Sequence, residues 1–248
     1  MDGTATYRQR WLRLILLTCL LSLLANSSSA ASLRVSPIRL ELSSNTPTSL
    51  LRLTNDDEVA RVVQVELMAW SQEKQRDSFQ PSNDIVVNPP IFTVAPGKTQ
   101  FIRIGLRHPV TSNDELSYRL FMTEVPQGQA AAAQSGQLNV VLRLSVPIFV
   151  SPQTVAIPSL RWTAVSEQDN SIKVTATNTG NTHFQIKSLE LTDLKRSQVL
   201  AKETQGVYIL PGQSWQWLLK PRIRQKAEFF HLSVHTDQGD IDEDIKLD

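Results

Sequence analysis

The residues best suited to chemistry in this sequence are four histidines and a carboxylate-rich C-terminal segment. His231 and His235 are four residues apart, so both would lie on one face of a β-strand and could bind a metal ion together. The spacing suggests no third ligand, and ordinary strand residues are the alternative interpretation. The acidic residues lack the glycine and ligand spacing of a calcium loop and are expected to form a solvated edge; they are Asp237, Asp240, Asp242, Glu243 and Asp244.

Motifs for catalysis are missing from the sequence. It has no Gly-rich phosphate loop, nucleophile elbow or zinc spacing, and only nine glycines from which a loop of that kind could be built. Cys19 is the single cysteine, and no serine stands beside a plausible base, so nucleophilic catalysis has no visible components. Scattered carboxylates could still meet in space, which keeps an enzyme as an alternative. We predict a protein that is not an enzyme and has no cofactor or metal.

The first thirty residues have the pattern of an export signal. A membrane span is disfavoured, because the apolar stretch Trp11 to Ala25 is about fifteen residues and spanning needs about twenty. We therefore predict a cleaved signal peptide over residues 1–30, with an uncleaved anchor as the alternative. The positive segment, the apolar core and the small-residue cleavage site are Arg8 to Arg13, Leu14 to Leu24 and Ser28 to Ala30.

Removal of the signal would leave a nearly neutral chain of about 218 residues without cysteine. Its 22 basic residues, three fewer than the full 25, would balance 23 acidic residues, one fewer than the full 24. This balance does not favour nucleic acid or an anionic membrane as a partner. Because Cys19 is removed, burial and not a disulfide must stabilise the fold. Lipid attachment at Cys19 is disfavoured, because no small-residue cleavage site precedes it.

The mature sequence is a succession of short β-type runs separated by turn residues, at a spacing of about 8 to 12 residues that is typical of a sandwich. Several runs alternate, such as Phe101 to Leu106, which indicates a sheet with one buried face. The predicted strands are Leu33 to Leu42, Ser49 to Thr54, Arg61 to Trp70, Ile85 to Val87, Ile91 to Val94, Thr99 to Leu106, Leu116 to Val125, Gln137 to Val150, Ser171 to Thr177, His183 to Leu194, Ser197 to Ile209, Ser214 to Leu219, Ala227 to His235 and Ile241 to Leu247.

A weak internal repeat indicates two domains of the same type. The turn segment Val94 to Thr99 reappears as Ile209 to Ser214, with proline followed by a glycine that supplies the positive φ of a type II turn. Upstream, Leu51 to Asn55 has a counterpart in Val174 to Asn178. Proline interrupts the longest β run at Ser151 to Gln153. We predict an all-β protein of two immunoglobulin-like β-sandwich domains in tandem, residues 31–151 and 152–248.

One predicted strand, Gln137 to Val150, is longer than an ordinary strand. Its even positions are all aliphatic, and at about 3.3 Å per residue it would extend roughly 40 Å. One interpretation is a core-facing last strand, and the other is an edge strand whose apolar face a partner covers. The preceding segment Pro126 to Gly136 has few side chains for packing and reads as a mobile connection. A flexible loop before a long apolar strand suits β-strand addition to a partner.

Two blocks resemble the PapD-like periplasmic pilus and fimbrial assembly chaperones. Val87 to Ile104 is similar to the PPxxxxxPG-plus-strand signature of this family, and Tyr118 to Pro126 is similar to its strand ending in Glu-x-Pro. The blocks and the long strand cover most of residues 33–152, whereas the second domain matches only generically. Val146 to Val150 reads Val-Pro-x-Phe-Val, which resembles a non-classical branch of the family.

The resemblance implies a periplasmic chaperone that binds, folds and caps pilus subunits by donor-strand complementation and delivers them to an outer-membrane usher. Pilin subunits and the usher would be its partners, without nucleic acid or a small-molecule substrate, and the free chaperone could self-associate through its apolar edge. An immunoglobulin-like structural or adhesive surface protein is the alternative. The implied donor residues, which would fill the groove of a pilin that lacks its last strand, are Leu138, Val140, Leu142 and Leu144.

The family also binds the terminal carboxylate of the subunit with two basic residues in the cleft between its domains, a charge-assisted contact that would set strand register. Arg39 stands where the first of these residues is expected. The expected lysine is replaced by Pro147, so the anchor departs from its usual form. The candidates for the missing charge, each of which could instead be a solvated strand residue, are Arg103, Arg119 and Arg143.

Overall fold

The computed structural model describes residues 33–126, 141–167, 169–195, 198–221 and 228–247, and every regular element in them is a β-strand. The predicted signal peptide lies outside these residues. Nowhere in the described ranges is there a helix with the length and apolar character needed to cross a membrane. The strands are β1 (Leu33–Ser36), β2 (Leu40–Leu42), β3 (Thr48–Asn55), β4 (Arg61–Glu73), β5 (Arg76–Pro81), β6 (Ile85–Asn88), β7 (Ile91–Val94), β8 (Thr99–Leu106), β9 (Leu116–Val125), β10 (Arg143–Val150), β11 (Leu160–Ser166), β12 (Ile172–Asn178), β13 (Phe184–Thr192), β14 (Val199–Glu203), β15 (Val207–Ile209), β16 (Ser214–Leu219), β17 (Phe229–Thr236) and β18 (Asp240–Lys246).

The first ten strands form two sheets around one hydrophobic core. One sheet has the order β1-β3-β8-β6, and the other has the order β2-β10-β9-β4-β5, with β7 beside β4. Alternate residues of a strand share a face, so the inward-pointing aliphatic residues of both sheets meet in this core. All the pairs are antiparallel except β2 and β10, which run parallel over Ile148 to Val150.

The last eight strands repeat this plan with a core of their own. Their sheets have the orders β11-β12-β16 and β14-β13-β17-β18, with β15 beside β13. The second core contains the rings of Trp162 and Trp217, which stack with their centroids 5.9 Å apart. The prediction of an all-β protein with two immunoglobulin-like sandwiches in tandem is confirmed. The predicted domain boundary falls in the connection between β10 and β11, residues 151–159, and its position stays a prediction.

The internal repeat has the same geometry in both sandwiches. The side-chain amide of buried Asn55 donates to the carbonyl of the last residue of β7 at 3.0 Å, and that of Asn178 donates to the last residue of β15 at 2.9 Å. The N–H of Gly97 donates to the Asn55 carbonyl, and the N–H of Gly212 donates to the Asn178 carbonyl. Both glycines have the predicted positive φ, 64° and 73°. A local sequence pattern therefore builds the same corner twice.

Several strand bounds differ from those predicted. The single predicted strand Leu33 to Leu42 is two strands in different sheets, because Pro37 has no N–H for the ladder and the chain changes sheet there. The predicted strand Ser197 to Ile209 is likewise two, β14 and β15. Strands β5 and β11 were not predicted, since β5 is polar and without a buried residue, and β11 follows a proline-rich connection.

Candidate functional site

Strand β10 has an outer side that is covered along only part of its length. Strand β9 pairs with its other side from Arg143 to Val150. On the outer side, β2 pairs only with Ile148 to Val150. Within the described parts of the chain, no strand pairs with the outer side of residues 143–147. The first sandwich therefore has an open strand edge, which is a template for adding another strand.

The backbone groups at this open edge follow from the ladder. The carbonyl of Leu142 accepts the N–H of Glu124 at 2.9 Å, so Leu142 directs its backbone groups toward β9. Successive residues of an antiparallel ladder alternate in direction, so Arg143, Ser145 and Pro147 direct theirs away from β9. Pro147 has no N–H to leave unpaired, which suits an edge position. The carbonyl of Pro147 belongs to the parallel pairing of Ile148 with Leu40, so the open edge offers two N–H groups and two carbonyls, those of Arg143 and Ser145.

The side chains divide the segment into an inner and an outer half. Leu144 is half-buried and packs against the first core, whereas half-buried Leu142 is not part of that core. The interpretation of a core-facing strand is right for the inner half of the segment. The apolar stretch that is left for a partner is therefore shorter than the sequence pattern suggested. The predicted donor residues Leu138 and Val140, like the connection at residues 127–136, lie outside the described residues. The inner residues, enclosed in their own sandwich, are Val146, Ile148 and Val150.

Arg39 lies in the cleft between the two sandwiches, in the bend between β1 and β2. Its Nη1 is 2.6 Å from Oδ2 of Asp237, which follows β17 of the second sandwich. Its Nη2 is 3.1 Å from Oε1 of Glu41. The Arg39 side chain is 32% exposed, so the guanidinium is within reach of a ligand that enters the cleft.

Arg119 faces the same cleft from β9, directly opposite Pro147 in the ladder. Its guanidinium carbon lies 3.9 Å from the centre of the Trp70 ring and 5.3 Å from that of Tyr208. Its Nε is buried, with no hydrogen-bond partner among the described residues. Burial lowers the pKa of Arg119. Arg119 therefore places a cation with an unused N–H donor opposite Pro147, the position where the sequence lacks the expected lysine.

The two other candidate arginines are placed differently. Arg103 is exposed on β8, in the sheet of the first sandwich that does not contain β10. Arg143 is at the start of β10, with its guanidinium 4.0 Å from the centre of the Phe121 ring. Neither pairs with Pro147, so the structure brings only Arg119 to that position.

A buried ionic group lies next to Arg39. The expectation of a solvated edge was wrong for one of its members, Asp237, because that carboxylate is buried between Arg39 and His183. His183 is 3% exposed, and its Nδ1 is 2.6 Å from Oε1 of Glu115 in the first sandwich. Its Nε2 is 3.2 Å from Oδ2 of Asp237, within ion-pair distance but outside hydrogen-bond geometry. Burial opposes protonation, yet the two carboxylates outweigh it and raise the pKa of His183. Burial also acts to raise the pKa of Asp237, but His183, a backbone N–H and Arg39 hold it below its ordinary value.

The β4–β5 hairpin adds a second connection between the sandwiches. The side chain of Gln72 donates to the Tyr208 carbonyl at 2.9 Å and accepts the N–H of Leu210 at 3.1 Å. Near the hairpin tip, Gln75 accepts the N–H of Gln216 at 2.9 Å. These contacts, together with the ionic group, hold the cleft in one geometry.

The histidine pair considered as a metal site has other partners. Nδ1 of His231 is 2.6 Å from Oδ1 of Asp244, and Nδ1 of His235 is 2.8 Å from Oδ1 of Asp240. Within the described ranges, no group of three or more His, Cys, Asp or Glu residues is arranged to hold a metal ion. The two histidines form cross-strand ion pairs between β17 and β18 instead.

Residues 32–156 match the family model described as pili and flagellar-assembly chaperone, PapD N-terminal domain. The chain belongs to this PapD chaperone family. The membership, which covers the open edge of β10, supports a chaperone role and not that of a structural surface protein. A comparison with curated proteins finds no match.

Solved structures of pilus chaperones share the fold over both sandwiches. A chain from the CsuC–CsuE chaperone and tip adhesion subunit complex of archaic Csu pili of Acinetobacter baumannii matches with a TM-score of 0.65 and 16% identity, over 88% of this chain and 100% of that chain. A chain from the Salmonella enterica SafA pilin–SafB chaperone complex matches with a TM-score of 0.60 and 17% identity, over 88% and 98%. The E. coli chaperone DraB matches with a TM-score of 0.56 and 19% identity, over 86% and 98%. At these identities the likeness shows the fold alone.

Proposed function

We propose that this protein is a periplasmic chaperone, exported by a cleaved signal peptide over residues 1–30, that binds, folds and caps pilus subunits by donor-strand complementation. The open outer edge of β10 carries the proposal. A subunit strand would pair with the outward backbone groups of Arg143 and Ser145, because main-chain hydrogen bonds supply affinity in strand addition. The proposal includes delivery of the capped subunit to an outer-membrane usher, as the resemblance to this family implies.

The outer half of the segment would supply the side chains that complete the subunit. Leu142 and Leu144 are half-buried at the margin of their own core, so a partner groove could enclose them further. Leu138 and Val140 continue the same alternation in the sequence. The first domain, residues 31–151, is the strand donor in this proposal, and the second, residues 152–248, forms the other wall of the cleft.

Arg39 and Arg119 would bind the terminal carboxylate of the subunit. Both guanidinium groups act on Tyr208: burial raises the pKa of its hydroxyl, and the two positive charges oppose this effect. Both positive charges therefore act on the same side chain of the cleft. A carboxylate held there by charge-assisted hydrogen bonds would set the register of the subunit along β10.

The donor role is tested by replacing Leu142 with Asp, followed by co-expression with secreted neighbouring proteins and pull-down from the periplasm. We expect a folded variant that no longer recovers pilin, since a buried unpaired charge costs several kcal/mol. Val141→Asp is the matched control, because it adds the same charge at an adjacent exposed position. Normal pilin recovery by a folded Leu142→Asp variant would count decisively against the donor role.

The carboxylate anchor is tested with Arg39→Ala and Arg119→Met in a binding assay with the recovered pilin. We expect each to weaken subunit binding, whereas Arg103→Ala, on the other sheet, should leave it unchanged. Unchanged affinity in either cleft variant would remove that arginine from the site.

A further inference from the structure

Four side chains form a continuous ionic chain between the sandwiches, and the proposed function uses only the last of them. Glu115 precedes β9 of the first sandwich, and His183 and Asp237 flank β13 and β17 of the second. Arg39, the last member of this ionic chain, belongs to the first sandwich and pairs with Asp237. The alignment of the two sandwiches and the placement of Arg39 therefore depend on the same contacts.

A doubly protonated imidazole places a positive charge within ion-pair distance of both carboxylates. The two ring nitrogens of His183 lie 2.6 Å and 3.2 Å from oxygens of Glu115 and Asp237. A neutral imidazole has one N–H, so its other nitrogen would direct a lone pair at a carboxylate. These carboxylates are 8% and 6% exposed, so water cannot replace the lost partner fully.

The ring surroundings of His183 also suit a cation. Phe149 of β10 stacks on the imidazole with a centroid distance of 3.4 Å and an interplanar angle of 8°. The face of an aromatic ring is negative and attracts a cation placed over it. Because Phe149 belongs to the same strand as the open edge, this stack connects the ionic chain to β10.

The other charged and titratable groups near His183 do not contact the imidazole directly. Arg39 reaches it only through Asp237, and the Tyr208 ring centre is 5.9 Å from that of the imidazole. Arg119 lies beyond Tyr208. The two arginines oppose a positive imidazole, but the two carboxylates are in direct contact with it and dominate.

We infer that His183 is the positioning residue of the subunit-binding cleft: as an imidazolium it joins Glu115 to Asp237 and, through Asp237, holds the Arg39 guanidinium in place. The inference rests on the proposed function, because it concerns the same carboxylate site. Loss of the proton removes the positive charge and one ring N–H from between the two carboxylates, although the backbone N–H groups of His183 and Gln185 still donate to them. The attraction that aligns the sandwiches and orients Arg39 through Asp237 is therefore weaker. A bound carboxylate adds a negative charge to the group and favours the imidazolium further, so subunit capture takes up a proton.

The sign of the pH dependence follows from the direction of the shift. The pKa of His183 is raised above an ordinary histidine value of about 6.5. The stabilisation is therefore fully present below about pH 6.5 and is lost as pH rises through the raised value. Alkaline and not acidic conditions should weaken capture through this residue.

The first test needs no subunit. An NMR titration of the free chaperone should give His183, assigned by comparison with His183→Arg, a midpoint above the ordinary histidine value of about 6.5. A His183 midpoint at or below that value would overturn the inference. The titration itself uses the wild-type protein. If His183→Arg folds poorly, the His183 signal can be assigned by substituting the other histidines instead, and the result remains decisive.

The second test compares binding of the recovered pilin at pH 6 and pH 9. We expect wild type and His108→Gln to bind about fivefold or more weakly at pH 9, which is at the low end of coupling between linked sites. His183→Arg, whose charge does not titrate in this range, should bind equally at both values. The same pH dependence in wild type and His183→Arg overturns the inference, and so does a flat wild-type profile. Failure to bind pilin at either pH overturns the proposed function instead, while the NMR midpoint still decides the state of His183.

Discussion

The last strands of the two sandwiches, β10 and β18, have opposite kinds of edge. Each pairs on one side with the strand that precedes it. β18 presents the exposed carboxylates of Asp240, Asp242 and Asp244, and a bridge from Leu247 to β11 follows its end. β10 instead presents unpaired backbone groups beside half-buried leucines. Charged side chains on an edge strand discourage the addition of another strand, so of these two edges that of β10 is the better suited to strand addition.

The largest expected effect separates the inner half of β10 from the outer half. Ile148→Ala should lower the free energy of unfolding by about 2 to 5 kcal/mol, because Ile148 is fully buried and its removal leaves a cavity. Leu142→Ala, outside the core, should cost less than about 1.5 kcal/mol. Chemical denaturation followed by circular dichroism measures both. Equal losses would mean that Leu142 belongs to the core and is not available to a partner.

An intermediate effect is expected at the open edge itself. Ser145→Pro removes the outward N–H without touching the ladder to β9, so subunit affinity should fall about tenfold, the equivalent of one hydrogen bond of about 1.4 kcal/mol. Ser145→Ala keeps the N–H and should bind pilin normally. Titration calorimetry with the recovered pilin measures both affinities. A Ser145→Pro variant that is folded and binds normally would show that strand addition does not use this edge.

The smallest effect is expected at β18. Replacing Asp242 and Asp244 by threonine removes charge from its exposed face and should permit weak self-association, with a Kd on the order of 1 mM. The background is Ser145→Pro, so that the edge of β10 does not contribute. Sedimentation velocity at high concentration measures the outcome. If the variant is strictly monomeric, the bridge to β11, and not the charge, is what prevents another strand from pairing with β18.

The same contrast explains which features could be predicted from the sequence. The two buried asparagines and the two turn glycines are local, since each corner is specified by residues that its own strands carry. The alternation of β10 was equally visible, but alternation alone does not say whether a residue faces its own core or a partner. Burial of Val146 and half-burial of Leu144 decide this only once the second sheet is in place.

The charged residues of the cleft were predicted less completely. Arg39 was found from a motif, whereas Arg119 was one of three equal candidates until its register opposite Pro147 separated it from the others. His183 gave no signal beyond its residue type, because its partners Glu115 and Asp237 are more than fifty residues away along the chain on either side.

The amino-acid sequence by itself determined the strands with clear alternation, the two repeated corners and the family blocks, since these depend on neighbours within a few residues. The tertiary structure alone decided which half of β10 is open and which cations share the cleft. These features arise where strands that are distant in the sequence come together, because side-chain burial and ion-pair distance depend on several segments at once.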